Sequence, residues 1–173
     1  YKRQIVGDAG AMGVSDSKEF SAPAAAGEDT IAYSDTTDYA ANLEMAKDFY
    51  VSKKSTAELE TLKTIDTPNE KTIADLAALL AIPTANLAKT IMFIADDQLV
   101  AVVTTGDFEV NPVKVQNFLH AETLEIAPES TVQEVIGAGF GSLGPVNLPD
   151  NVTLLVDERA ADLANFTAGA NQD

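Results

Sequence analysis

The chain has no cysteine and only one histidine, His120, among its 173 residues. Without cysteine there is no disulfide, no thiolate zinc site and no cysteine nucleophile, a composition that suits a reducing compartment. One histidine leaves no cluster for a metal and little scope for a Ser-His-Asp triad. Basic residues are also scarce: 11 stand against 27 acidic ones, giving a net charge of −16. Such a field repels phosphate backbones and disfavours a freestanding nucleic-acid binder, so any RNA substrate has to be delivered by something else. No apolar run is long enough to span a bilayer, and the opening YKRQIVGDAG lacks the apolar segment and cleavage site of a signal peptide. The expectation is a soluble, cytoplasmic protein of one domain, or one domain plus a fragment, with an ordinary hydrophobic share of 46%.

Residues 1 to 34 read as short strands (KRQIV, KEFSA, EDTIAYS) joined by small-residue turns such as GDAGAMGVSDS. Asp38 is positioned to cap a helix through YAANLEMAKDFY, where Ala40, Leu43, Ala46, Lys47 and Tyr50 follow the helical period. The polar VSKKSTAELE marks residues 50–60 as a linker. Beyond it, Thr72 and Asp75 form a capping box for a helix that Pro83 stops, and one more short turn fits between Pro83 and Ala88. KTIMFIADDQLVAVVTTGD predicts a buried hairpin turning at Ala95 to Gln98. NPVKVQNFLH predicts a short helix with Pro112 in its first turn, and Ser130 with Gln133 caps STVQEVIGAG. VTLLVD predicts a strand and ERAADLANF a helix. Strands and helices mix without a βαβ repeat, so the fold class is α+β or a mixed sheet.

The stretch Gly137 to Pro149, GAGFGSLGPVNLP, holds four of the ten glycines and two of the seven prolines. Glycine admits positive φ and close approach while proline fixes φ and removes a donor, so a rigid loop with exposed N–H groups is expected. A plain surface connection is the competing reading.

In order, GDAGAMGVSDSKEF with GEDTIAYSDTTDYAANLE, then KTIMFIADDQLVAVVTTGDFEVN, then GAGFGSLGPVNLP with LLVDERAADLANFTAGAN resemble the bacterial-type prolyl-tRNA synthetase over essentially the whole chain. The resemblance implies a segment of class II synthetic core at 1–49, the linker at 50–60, and at 61–173 a C-terminally truncated editing domain. That domain is similar to freestanding aminoacyl-tRNA deacylases, which implies a curled mixed, largely antiparallel β-sheet flanked by helices. The implied activity is hydrolysis of alanine mischarged onto the proline tRNA. Its physical motive is that a synthetic site cannot sterically exclude the smaller amino acid, and a small apolar difference discriminates only about 10- to 200-fold. The implied partner is the tRNA(Pro) acceptor end, handed over by the rest of a homodimeric synthetase. Editing would need no cofactor or metal, ATP and Mg serving only the complete enzyme.

Carried onto this sequence, the KT element is Lys89 and Thr90, and the GxxxP element is Gly141 to Pro145. An arbitrary lysine at Lys89 would snorkel to solvent. Matched to the family, it would hold the terminal phosphate or polarise the ester, with water as nucleophile. Substrate-binding positions are then Thr90, Gly139, Gly141, Ser142, Gly144, Pro145 and Asp157, the loop N–H groups from Gly141 to Gly144 stabilising the oxyanion. Asp157 has two open readings, a cap on the following helix or recognition of the amino acid's ammonium. His120 is assigned to the carbonyls ending its helix, and Phe108 stands in GDFEVN where the family has histidine. Asp96 with Asp97 and Asp107 with Glu109 read as turn and surface carboxylates. GxMG at Gly10 to Gly13 lacks the ending of a phosphate loop. The rival reading is a non-catalytic domain that positions the acceptor end or supports the synthetase, and a third is a small acidic ligand-binding protein.

Overall fold

A computed structural model of the chain describes residues 3–7, 17–22, 24, 26–27 and 29–172. The turn GDAGAMGVSDS and its GxMG lie mostly outside them. The first sheet contains β1 (Arg3–Gly7), β2 (Ser17–Ser21), β3 (Ile31–Tyr33) and β4 (Ala40–Asn42), in the order β2-β1-β4-β3. Its β4 corrects the helix expected after Asp38. Ala41 pairs in parallel with Val6 and antiparallel with Ala32, and Ala40 and Ala41 are buried. The Ser34 hydroxyl accepts from the N–H groups of Thr36 and Thr37, which turns β3 into β4. Tertiary pairing thus overrides the helical period, and only one turn survives, with the Asn42 side chain accepting from Met45 N at 2.9 Å.

Residues 46–72 form neither helix nor strand, and the stretch 50–60, expected as a linker, is hydrogen-bonded to the second layer. The Asp162 carboxylate accepts from the Tyr50 hydroxyl at 2.7 Å, the Ser52 hydroxyl at 2.9 Å and the Lys53 N–H at 2.6 Å. Asn165 accepts from Glu60 N and donates to Glu58 O, both at 2.9 Å. The segment is a strap laid over the end of the second layer.

That layer begins with α1 (Ile73–Leu80), capped as expected by Thr72, whose hydroxyl accepts from Asp75 N at 3.2 Å. A 3-10 turn at Thr84–Asn86 leads into β5 (Leu87–Ala95), and β6 (Gln98–Thr105) returns antiparallel. Asp96 and Asp97, at φ 45° and 69°, form the tight turn between them. Next come α2 (Pro112–Leu119), β7 (Leu124–Ile126) and α3 (Glu129–Ile136). Ser130 is not the cap of α3: the Pro128 carbonyl accepts from Thr131 N and Val132 N, so the helix starts one residue before Ser130. The chain closes with β8 (Thr153–Val156), α4 (Glu158–Ala161) and β9 (Thr167–Ala168). The helix expected through ERAADLANF stops at Ala161, because Asp162 is given over to the strap and Asn165, at φ 55°, turns the chain into β9.

The second sheet is mixed and largely antiparallel, in the order β7-β5-β6-β8 with β9 parallel to β5. It is flanked by helices and is not strongly curled, unlike the curled sheet expected. Both faces of its hairpin are covered. Phe93, Ala95, Val100 and Val102 pack on Val115 of α2. On the other face Met92, Leu99 and Ala101 pack on Val132 of α3 and on Ala138 and Leu143 of the glycine-rich loop.

Candidate functional site

Strand β6 runs along one edge of β5 for its whole length, from Ala88↔Thr105 to Ala95↔Gln98. The other edge is shared: β9 takes Leu87 and Ala88, and β7 takes Phe93 to Ala95. Met92 O accepts from Ala127 N at 3.0 Å, which leaves a notch at Lys89, Thr90 and Ile91. These three are half-buried, between fully buried pairs on either side. Main-chain groups alternate in direction along a strand, so Thr90, two residues before Met92, turns its N–H and C=O into the notch. An unpaired main-chain edge inside a sheet is an unmet demand for a partner.

The glycine-rich loop is fastened beside this notch by the segment after β9. Asn171 donates from its main chain to Ser142 O at 2.9 Å, accepts from Gly144 N at 2.8 Å and donates through Nδ2 to the carbonyls of Gly144 and Val146. The approach is so close that a Cβ on Gly144 would lie 1.6 Å from Gly169 O. Gly141, at φ +98°, uses the left-handed freedom that glycine provides. The expected row of open N–H groups is shorter than the sequence implied. Ser142 N is bonded to Gly139 O at 3.2 Å and Gly144 N to Asn171, while Gly141 N and Leu143 N carry no hydrogen bond to the described residues.

Lys89 and Thr90 point to opposite faces, as consecutive strand residues must. Lys89 shares the α2 side with its partner Thr104, and its ammonium, on a side chain 16% exposed, donates to Glu109 Oε1 at 2.7 Å. Thr90 shares the face of the glycine-rich loop. Thr90 is thus on the face that Ala138 and Leu143 of the loop cover at Met92 and Ala101, and the Lys89 ammonium is on the other. Asp157, on the row of Thr104, caps α4 by accepting from Arg159 N at 2.9 Å, the first of its two readings.

Sequence reasoning named Thr90 but missed Thr105, Arg159 and Asp162. The Thr90 and Thr105 hydroxyl oxygens are buried without a hydrogen-bond partner, and they are the two such side-chain atoms among the described residues. Each unmet hydroxyl costs about 1–3 kcal/mol. Arg159 lies between two rings, 4.7 Å from the Tyr50 centroid and 4.3 Å from that of Phe108, and pairs with Asp48. Asp162, 9% exposed, is held below the ordinary carboxylate range by the hydrogen bond from Tyr50, with smaller help from Ser52 and Lys53 against the cost of desolvation. The same bond raises Tyr50 above the ordinary phenol range. Asp96 is lowered by the N–H groups of Thr123 and Glu122, which makes it a turn carboxylate as expected. His120 ends α2 at φ 54°, its N–H on Asn117 O. Among the described residues no group of three or more His, Asp or Glu could hold a metal, and no helix is long and apolar enough to cross a membrane.

The sequence profile of the aminoacyl-tRNA editing domain matches residues 67–173, a span that includes the notch, the glycine-rich loop and Asn171. The chain belongs to this family. It is 75% identical over 171 residues to the proline–tRNA ligase of Leuconostoc citreum, a match covering 99% of this chain and 30% of that protein. It is 53% identical to the proline–tRNA ligase of Lactiplantibacillus plantarum, with the same coverage. The chain thus spans about 30% of the length of the curated relatives it matches. The crystal structure of a hypothetical protein superposes with a TM-score of 0.54 at 27% identity, over 58% of this chain and 67% of that one.

Proposed function

We propose that this editing domain hydrolyses the ester between alanine and the proline tRNA, within a larger proline–tRNA ligase. The observation that carries the reading is the match at 67–173, whose span holds an open sheet edge beside a fastened glycine loop. The acceptor end would lie across that edge, with its terminal phosphate toward Lys89 and its aminoacyl ester toward the loop. Glu109 is 88% exposed, so its hold on Lys89 is weakened by water and a phosphate can displace it. With no cysteine in the chain, water attacks the ester carbonyl and the carbonyl–ribose oxygen bond breaks, releasing alanine and a free terminal hydroxyl. The N–H groups of Gly141 and Leu143, open in the structure, would face the developing oxyanion. Selection follows from size, since the smaller amino acid that escapes the synthetic site is admitted here.

In this reading residues 1–49 belong to the synthetic core, 50–60 strap the two parts together and 61–173 edit. The net charge of −16 leaves delivery of the tRNA to the rest of the ligase, and ATP and Mg serve only its synthetic reaction. The Lys89–Glu109 ion pair favours the rival, a domain that positions the acceptor end without chemistry. Deacylation of alanyl-tRNA(Pro) at saturating tRNA separates them. Lys89→Ala is expected to slow release of alanine about 10²-fold, the effect of losing one positioned charge-stabilising donor. An unchanged rate would remove Lys89 from the site, and no release by the unaltered chain would favour the rival.

A further inference from the structure

Thr90 and Thr105 lie on one face of adjacent strands, Thr90 opposite Val103 and Thr105 opposite Ala88. They are diagonal neighbours, roughly 7 Å apart along the backbone and closer between side chains. Thr105 is 5% exposed, and neither hydroxyl has a partner. The side chains beside them are small: their cross-strand partners Ala88 and Val103 form a buried cluster with Ala160 of α4, against which the partly buried Ala168 of β9 packs. Two unmet hydroxyls facing a corner of small side chains, next to an open sheet edge, indicate a group that arrives with the ligand.

We propose that these two hydroxyls recognise the primary amino group of the aminoacyl ester and thereby discriminate alanine from proline. The proposal rests on the reading of the site as an aminoacyl-ester hydrolase. Each threonine oxygen offers acceptor lone pairs, and a primary amine supplies N–H groups to two acceptors at once. The ring nitrogen of proline has carbon where alanine has one of those N–H groups. The two N–H groups of a prolyl ammonium reach both hydroxyls only by carrying ring carbon into the corner beside Ala88, Ala160 and Ala168, so a prolyl ester gives up either the hydrogen bonds or the fit. The acidic field of the chain favours an amine over an anionic group here.

The test uses binding, so that it does not depend on hydrolysis. The probes are two non-hydrolysable amides of 3′-amino-3′-deoxyadenosine, one carrying alanine and one N-methylalanine, titrated calorimetrically into this chain. The unaltered chain is expected to prefer the alanyl probe by about tenfold or more, as for one hydrogen bond to a charged group. Thr90→Val and Thr105→Val should each abolish that preference while leaving Tm unchanged or raised, because an unmet hydroxyl is removed. Thr105→Ser should keep the preference. Valine variants that bind both probes as the unaltered chain does, or that lose both equally, would overturn the proposal, as would an unaltered chain that binds neither. Threonine-dependent binding without release of alanine from alanyl-tRNA would sustain the recognition and overturn the hydrolytic reading. Release of alanine without any threonine dependence would do the reverse.

Discussion

The two faces of the β5–β6 hairpin differ in what they leave unmet. On the α2 face Phe93, Val100 and Val102 meet Val115 in a closed apolar cluster. On the loop face the same strands pack Met92 and Ala101 on α3, but toward Thr90 and Thr105 the packing gives way to alanines and partnerless hydroxyls. One face is closed, and one corner of the other gives up stability where the proposed site lies. Natural sequences commonly break local rules at functional positions.

The sharpest way to probe that contrast is to damage each face in turn. Phe93→Ala on the closed face should cost about 3–5 kcal/mol in chemical denaturation, the usual range for emptying a buried aromatic position. Gly144→Ala on the open face should push the loop away from Gly169, whose carbonyl a Cβ would meet at 1.6 Å. Its main effect is expected on editing, about 10²-fold in rate for displacement of the loop by roughly 1 Å. If Gly144→Ala retained the full rate, the fastened loop would not belong to the site.

Acidity should release the strap before it opens the hairpin. Asp162 has a lowered pKa, so its contribution is present above the ordinary carboxylate range and is lost as pH falls through the lowered value. Tyr50 has a raised pKa, so its contribution is present below the ordinary phenol range and is lost as pH rises through the raised value. Hydrogen exchange at Lys53 N–H, bonded to Asp162 in the structure, should accelerate beyond the intrinsic pH trend at both extremes. Asp162→Asn should remove the acid-side transition. Smaller still are the two caps. Thr72→Ala should cost about 1 kcal/mol, and Ser130→Ala, which removes no cap, should stay within about 0.5 kcal/mol by thermal melts.

What was legible in the sequence is what is local in the structure. The hairpin could be read because its β-branched run meets itself across the two-residue turn at Asp96 and Asp97, and α1 because Thr72 and Asp75 are three residues apart. β4 could not, because its place depends on Val6, far back in the chain. The bonds of the expected linker were hidden for the same reason: Tyr50 finds Asp162 across 112 positions. For the proposed site, the order of KT and GxxxP marks two segments but does not show that Asn171 fastens the loop across 27 positions. Nor could it show the face each residue takes, since both faces of the hairpin are buried and the apolar run lacks the alternation that would separate Lys89 from Thr90.

The central claim is that the aminoacyl end enters the notch at Thr90 rather than any surface on the α2 side. Backbone amide shifts of this chain, followed by NMR as the alanyl amide of 3′-amino-3′-deoxyadenosine is added, test it most directly. The predicted result is saturable shifts at Thr90, Gly141 and Ala168, with Phe93, Val100 and Val115 unmoved. Shifts confined to the α2 side, or none at Thr90 at saturation, would contradict it.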